Sequence, residues 1–322
     1  MKWLSSLPSI FCPAATRCVQ FLPILSAAGS GRFLCTLALT GIFTLSSAQT
    51  LHLAYTANIN GTLTDCGCGE EPVGGIDRLA TLIDSLRRAH PDLILLDGGD
   101  LLRSYSLPRL NAFVLQWAAR MGYDALNVGD QELVEGMAFL AAQAHPLPWV
   151  SLNLQFPALA AQTGSFRPRG ELTITRDSAQ VMVTGLTSPQ AFSFITPPPD
   201  LRMEPPQRAL LQLQAMPSGP RVLTVVLFHG DWPEAEALAS QLPEGSLLLV
   251  AHSQQLRVKR LARCTLLEPG PDAQYLTSIE ARFRKKGWEI HTRFLPVSRA
   301  IRPQKAIFEE AQRLLKQLKQ GP

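Results

Sequence analysis

Four apolar-rich stretches, at 51–56, 93–97, 222–228 and 246–250, each run into polar residues. Runs of this kind suit strands covered on both faces, and parallel strands would bring their ends to one edge of a sheet. Between them the period changes to that of helices. Residues Ile76, Leu79, Leu82, Ile83 and Leu86 form one apolar stripe, and Gly75 opens that helix. A second helix is predicted over about 109–121 with Gly122 as its cap, a third over roughly 132–144, and a C-terminal one over 303–319. Lys316 and Lys319 stand in the last turn of that final helix, where the helix dipole favours them. Short strands are predicted at 124–128 and 148–154, paired strands at 171–177 and 179–186, and alternating strands across 275–296. The Pro-rich segment Ile195–Pro206 reads as a loop. Strands alternating with helices point to an α/β protein.

The 322-residue chain is 46% hydrophobic and 17% charged, ample for a core, with a formal charge of +4. Residues 1–48 hold Lys2, Arg17 and Arg32 and no acid, which leaves 27 basic and 26 acidic side chains in the rest. Nothing electrostatic favours a nucleic-acid partner. Arg32, an apolar run and Ser46-Ser47-Ala48 form a signal-peptide pattern over 31–48, too short for a comfortable membrane span. The expected organisation is a cleaved leader, 1–48, and one domain, 49–322, exported and periplasmic. Met1–Gly31 reads either as sequence upstream of the true start, the preferred reading, or as a retained anchor; membrane association follows only from the second. Without the leader, Cys66, Cys68 and Cys264 remain, an odd number for a disulfide framework.

The candidate chemistry lies at the strand ends. In LILLDGGD, 93–100, two glycines follow the strand, and Asp97 and Asp100 stand at its carboxyl end, where open α/β sheets place ligands. The order TANINGTL, GGIDRLATLI, LILLDGGD, GYDALNVGDQE, VSLNL, LFHG, AHSQ resembles the metallophosphoesterase domain of exported 5'-nucleotidases, members of the calcineurin-like superfamily, across most of residues 50–275. The resemblance implies a four-layer α/β/β/α sandwich with two metals at the strand ends. It also implies a C-terminal nucleotidase domain for which this chain is expected to be too short.

Carried over residue by residue, the resemblance is uneven. The first metal would use positions 58, 60, 100 and 254, here Asn58, Asn60, Asp100 and Gln254; three of the four are amides, weak ligands for a transition metal. The second would use Asp100, Asp130, His229 and His252, all capable ligands for one divalent ion such as zinc, manganese or iron. Gln131 stands where the family has a histidine, and an amide cannot act as general acid near neutrality. The expected function is therefore a metallophosphoesterase-like protein with one metal and weak or lost phosphoester hydrolysis. An active hydrolase of a nucleotide or another phosphoester is the alternative. A further one is a thiol redox or metal-binding protein, with a redox partner, that uses Cys66 and Cys68 as thiols or replacement ligands. His52, His90, His145 and His291 are isolated in the sequence and read as ordinary surface or core residues, and the basic cluster Arg282, Arg284, Lys285 and Lys286 as a solvated turn; Trp232 reads equally as pocket lining or packing, and Arg78 as solvated in preference to an anion contact at its helix N-terminus.

Overall fold

A computed structural model of the chain describes residues 49–320 except 66–69, 144–146, 158–165, 178, 215–218, 220 and 286. The expected leader, 1–48, lies outside them, as do Cys66, Cys68, His145 and Lys286. Fourteen strands follow in chain order: β1 (Thr50–Thr56), β2 (Ile94–Asp97), β3 (Ala125–Asn127), β4 (Trp149–Val150), β5 (Leu154–Gln155), β6 (Glu171–Arg176), β7 (Ala179–Thr187), β8 (Arg202–Met203), β9 (Val222–Gly230), β10 (Ser246–His252), β11 (Leu256–Arg260), β12 (Cys264–Pro269), β13 (Tyr275–Arg284) and β14 (Gly287–Pro296). The α-helices among the described residues are α1 (Ile76–Ala89), α2 (Pro108–Met121), α3 (Met137–Gln143), α4 (Pro206–Gln214), α5 (Trp232–Ala239) and α6 (Lys305–Lys319).

The strands form two six-stranded sheets, ordered β14-β13-β1-β2-β3-β4 and β11-β12-β10-β9-β7-β6, with β5 and β8 as a small ribbon. The four apolar runs divide between them: β1 and β2 are parallel neighbours in the first sheet, β9 and β10 in the second. The sheets meet across an apolar layer that includes Leu53, Ile94 and Leu96 from one side and Val183, Val225 and Leu249 from the other. The opposite face of the first sheet packs against α1, α2 and α6 through residues such as Ile83, Trp117 and Ile307. The second sheet is covered by α4 and α5 through Leu210, Leu238 and their neighbours. The result is the α/β/β/α sandwich. Every β9 residue after Val222 is buried, because both of its faces are covered.

Three expected elements differ. The helix expected over 132–144 is a 3-10 turn, Gln131–Leu133, followed by the short α3; Gly136 between them has φ +80°, which breaks the helical path. The strand expected over 148–154 is split into β4 and β5. The loop expected over 195–206 contains β8. Among the described residues no helix is long and apolar enough to cross a membrane.

A buried hydrogen bond joins the two sheets near the edge where the site lies. The Tyr55 hydroxyl, on β1, donates to the Val250 carbonyl on β10 at 2.9 Å. Tyr55→Phe leaves the packing and removes that bond, so stability should fall by about 1 kcal/mol, read as a lower denaturant midpoint at unchanged slope.

Candidate metal centre

Strand ends from both sheets bring four side chains together. Asp100 follows β2, Asp130 opens the 3-10 turn after β3, His229 lies near the end of β9, and His252 ends β10. One ligand atom from each lies within 4.8 Å of the others, with three of the residues buried. His229 Nε2 is 2.9 Å from Asp130 Oδ1 and 3.3 Å from Asp100 Oδ1. His252 Nδ1 is 3.5 Å from Asp130 Oδ1 and 4.0 Å from Asp100 Oδ2.

Local backbone makes this convergence possible. Asp100 and His252 have φ +57° and +97°, uncommon for residues with a Cβ, and both are held by neighbouring loops. A Cβ on Gly129 would lie 2.7 Å from His229 Cε1 and 2.8 Å from Glu132 Oε2, so only glycine leaves room for the imidazole there. Glu132 is wholly buried and accepts three backbone N–H groups: Gly129 at 2.7 Å, Leu101 at 2.7 Å and Asp100 at 3.1 Å. That carboxylate fastens the Asp100 loop to the Asp130 loop. Sequence reading passed over Glu132 as the last letter of a motif; its three backbone donors come together only in the fold.

The electrostatics follow from burial beside opposite charge. Burial alone would lower the proton affinity of His229, but Asp100 and Asp130 outweigh it and raise its pKa to about 10. Burial raises Asp130, yet the His229 hydrogen bond and the facing His252 imidazole overcome that and hold it below the usual carboxylate range. Burial drives Asp100 well upward, against the opposing pull of His229 and with Asp130 and Glu132 adding to the rise.

The donor set fits a divalent cation. Gly98 O lies 3.3 Å from His229 Nδ1, which fixes Nδ1–H as the donor to that carbonyl and turns Nε2 into the cluster. His252 Nδ1 is buried without a hydrogen-bond partner although it faces two carboxylates, as expected of an imidazole shaped for a metal. Two carboxylates and two imidazoles are a ligand set such an ion accepts.

The amide positions form a different structure. Asn58 is buried, and both ends of its amide are engaged: Oδ1 accepts from His252 N at 2.8 Å and Nδ2 donates to Gly270 O at 3.2 Å. Asn60 Nδ2 donates to Asp272 Oδ1 at 3.0 Å and to Gln254 Oε1 at 3.4 Å, and Asn60 Oδ1 accepts from Gln131 Nε2 at 3.2 Å. The Asp272 carboxylate can only accept, which orients this amide chain from one end. Gln131 thus spends its N–H on Asn60, and its Oε1 is buried without a partner.

Asp97, the other carboxylate noticed beside the glycines, is not in the cluster. It accepts from Thr56 Oγ1 at 2.6 Å and Gly99 N at 2.9 Å. Cys66 and Cys68 lie outside the described residues. Cys264 is free and buried, and burial pushes its thiol up to about 11. Trp232 stacks against the Arg257 guanidinium at 4.4 Å, and Arg78 pairs with Asp77 at 3.5 Å.

No protein-family model matches the chain. The chain is 30% identical over 139 residues to a 5'-nucleotidase of Bos taurus, an alignment that covers 41% of this chain and 24% of that protein. The chain thus spans about a quarter of that relative's length. Among solved structures, a 5'-nucleotidase precursor from Thermus thermophilus superposes with a TM-score of 0.68 at 19% identity, over 84% of this chain and 59% of that one. A calcineurin-like phosphoesterase from Bacillus subtilis gives a TM-score of 0.65 at 15% identity, over 84% and 98% respectively.

Asp97 supplies a test that is independent of any metal. Burial raises its pKa from 3.8 to about 7, so between those values the folded state holds a proton that the unfolded chain has lost. Stability of the metal-free protein should therefore fall as pH rises from 4 to 7, by on the order of 4 kcal/mol from this group. Asp97→Asn should flatten that slope in denaturant titrations across the range; an unchanged slope assigns it to other groups.

Proposed function

Starting from a chain that belongs to the 5'-nucleotidase-like calcineurin-like metallophosphoesterases, we propose a one-metal protein whose phosphoester hydrolysis is weak or lost. Asp100, Asp130, His229 and His252 would hold one divalent transition ion of the zinc, manganese or iron kind. A bound ion of this kind supplies Lewis-acid polarisation of a phosphoryl oxygen. Asp100 and Asp130 supply its countercharge, His229 is oriented by the Gly98 carbonyl, and Glu132 keeps the two aspartate loops in register. The ligand would be a nucleotide or another phosphoester, and the protein would act after export.

One observation carries the reading: four ligand atoms converge within 4.8 Å, while Asn60 links Gln131 and Gln254 through amide hydrogen bonds. Gln131 has no proton to give a leaving group, and Asn58 already spends both amide ends on backbone groups. Loss of general acid catalysis alone removes roughly 100- to 10,000-fold in rate.

Elemental analysis of the purified protein should find one metal per chain, and Asp130→Ala or His252→Ala should lose it. Nucleoside monophosphates or p-nitrophenyl phosphate should turn over far below about 10 per second, an ordinary enzyme rate. Two ions per chain together with ordinary turnover would make this an active two-metal hydrolase and end the proposal.

A further inference from the structure

Three histidines that are isolated in the sequence meet on the outer face of the first sheet. In the strand register His52 lies opposite Glu280, and Glu280 lies opposite His291. Directly opposed residues point to the same side of a sheet, so the three side chains form one row across β1, β13 and β14. His90, which caps the C-terminal end of α1, stacks on His52 with ring centroids 3.6 Å apart and planes 16° from parallel. Glu289 adds a carboxylate 3.3 Å from His291.

We propose that His52, Glu280 and His291, with His90 stacked on His52 as its support, form a second, outward-facing site for a divalent transition cation that prefers imidazole, such as zinc or copper. Opposed residues on neighbouring strands are about 5 Å apart, so His52 and His291 stand about 10 Å apart at the backbone, with Glu280 between them. Two imidazoles leaning inward, each bonding the ion at about 2.1 Å, span that distance. Two neighbouring features favour a cation there. The α1 carboxyl end presents the negative pole of its dipole beside His90. Burial and the neighbouring His90 lower the proton affinity of His52, so at neutral pH its lone pair is open to a metal. The competitor is Arg282, whose guanidinium lies 2.8 Å from Glu280. Among the described residues only the Asp100 cluster has its ligand atoms already gathered within 4.8 Å. Here Glu280 must turn from Arg282 and His291 from Glu289, which makes this the weaker of the two sites.

Equilibrium dialysis of the full chain against zinc at pH 7.5 tests the site independently of the Asp100 cluster. Wild type should take up an added equivalent beyond its tightest site. His52→Gln/His291→Gln should lose that equivalent, with at least a tenfold weaker midpoint, and Asp130→Asn/His252→Gln should keep it. Copper added to the Asp130→Asn/His252→Gln protein should show nitrogen splittings in its paramagnetic resonance spectrum. Those splittings should vanish when His52 and His291 are also changed. His291→Gln alone, at a half-exposed position, gives the same readout if the double variant folds poorly. Identical isotherms for wild type and either histidine variant, or copper spectra unaltered by their loss, would overturn the assignment. Neither result bears on whether the Asp100 cluster holds its own ion.

Discussion

Carboxylates taken out of water govern this molecule. Asp97, Asp100, Asp130 and Glu132 all lie at one sheet edge, and none is more than 4% exposed. Isolated charges at such depth are costly, so each must find compensation or carry a proton. The four find different answers. Glu132 collects three backbone N–H groups. Asp97 takes a hydroxyl and one N–H, which is too little, and its pKa drifts toward neutrality. Asp100 and Asp130 face two imidazoles. Without metal, a protonated His229 balances part of their charge; a divalent cation would release that proton and balance both. The loops are shaped around this problem, with left-handed backbone at Asp100 and His252 and a glycine at 129 that a larger residue would block.

The neighbouring half solves the opposite problem. Amides carry no charge, so burying them asks only for hydrogen bonds. Asn58 achieves this by bridging the β10 end to the Gly270 turn. Asn60 achieves it by linking Gln131, Gln254 and Asp272. These contacts tie the loops that follow β1, β3, β10 and β12. These amides are therefore cross-links between loops rather than a set of spare polar groups. Gln131 Oε1 is the exception, buried with no donor to meet it.

Much of this could be read along the chain, and the reasons for the remainder are physical. The apolar runs of β1, β2, β9 and β10 announced themselves because both faces are covered. The helices α1 and α2 were readable from an apolar stripe and from Gly122 as a left-handed cap. Strands β11 and β12 were not: LRVKR is an edge strand with charged residues on an open side, and CTLLEP is short. Helices α4 and α5 are nine and eight residues long with a proline in the first turn, which reads as easily as loop. At the site, the family resemblance pointed to Asp100, Asp130, His229 and His252, whose ligand atoms lie within 4.8 Å of one another. The clamp by Glu132 and the diversion of Asp97 depend on where N–H groups point, which spacing does not encode. The His52, Glu280 and His291 row depends on β-sheet register between segments more than 200 residues apart in sequence.

Charge balance also bears on how many ions the edge can hold. On the reading proposed here, one divalent cation is neutralised by Asp100 and Asp130, with Glu132 already committed to backbone N–H groups. A second cation in the amide half would bring two more positive charges into a region lined by Asn58, Asn60 and Gln254. The carboxylate bonded to that half is Asp272, whose Oδ1 already accepts from Asn60 and Thr62. Uncompensated charge in a partly buried site costs several kcal/mol, more than weak amide oxygens return. On that reading, amides at 58, 60 and 254 would lower occupancy in two ways, through poorer donors and through missing countercharge. Restoring a histidine at one of those positions would mend the first and leave the second in force.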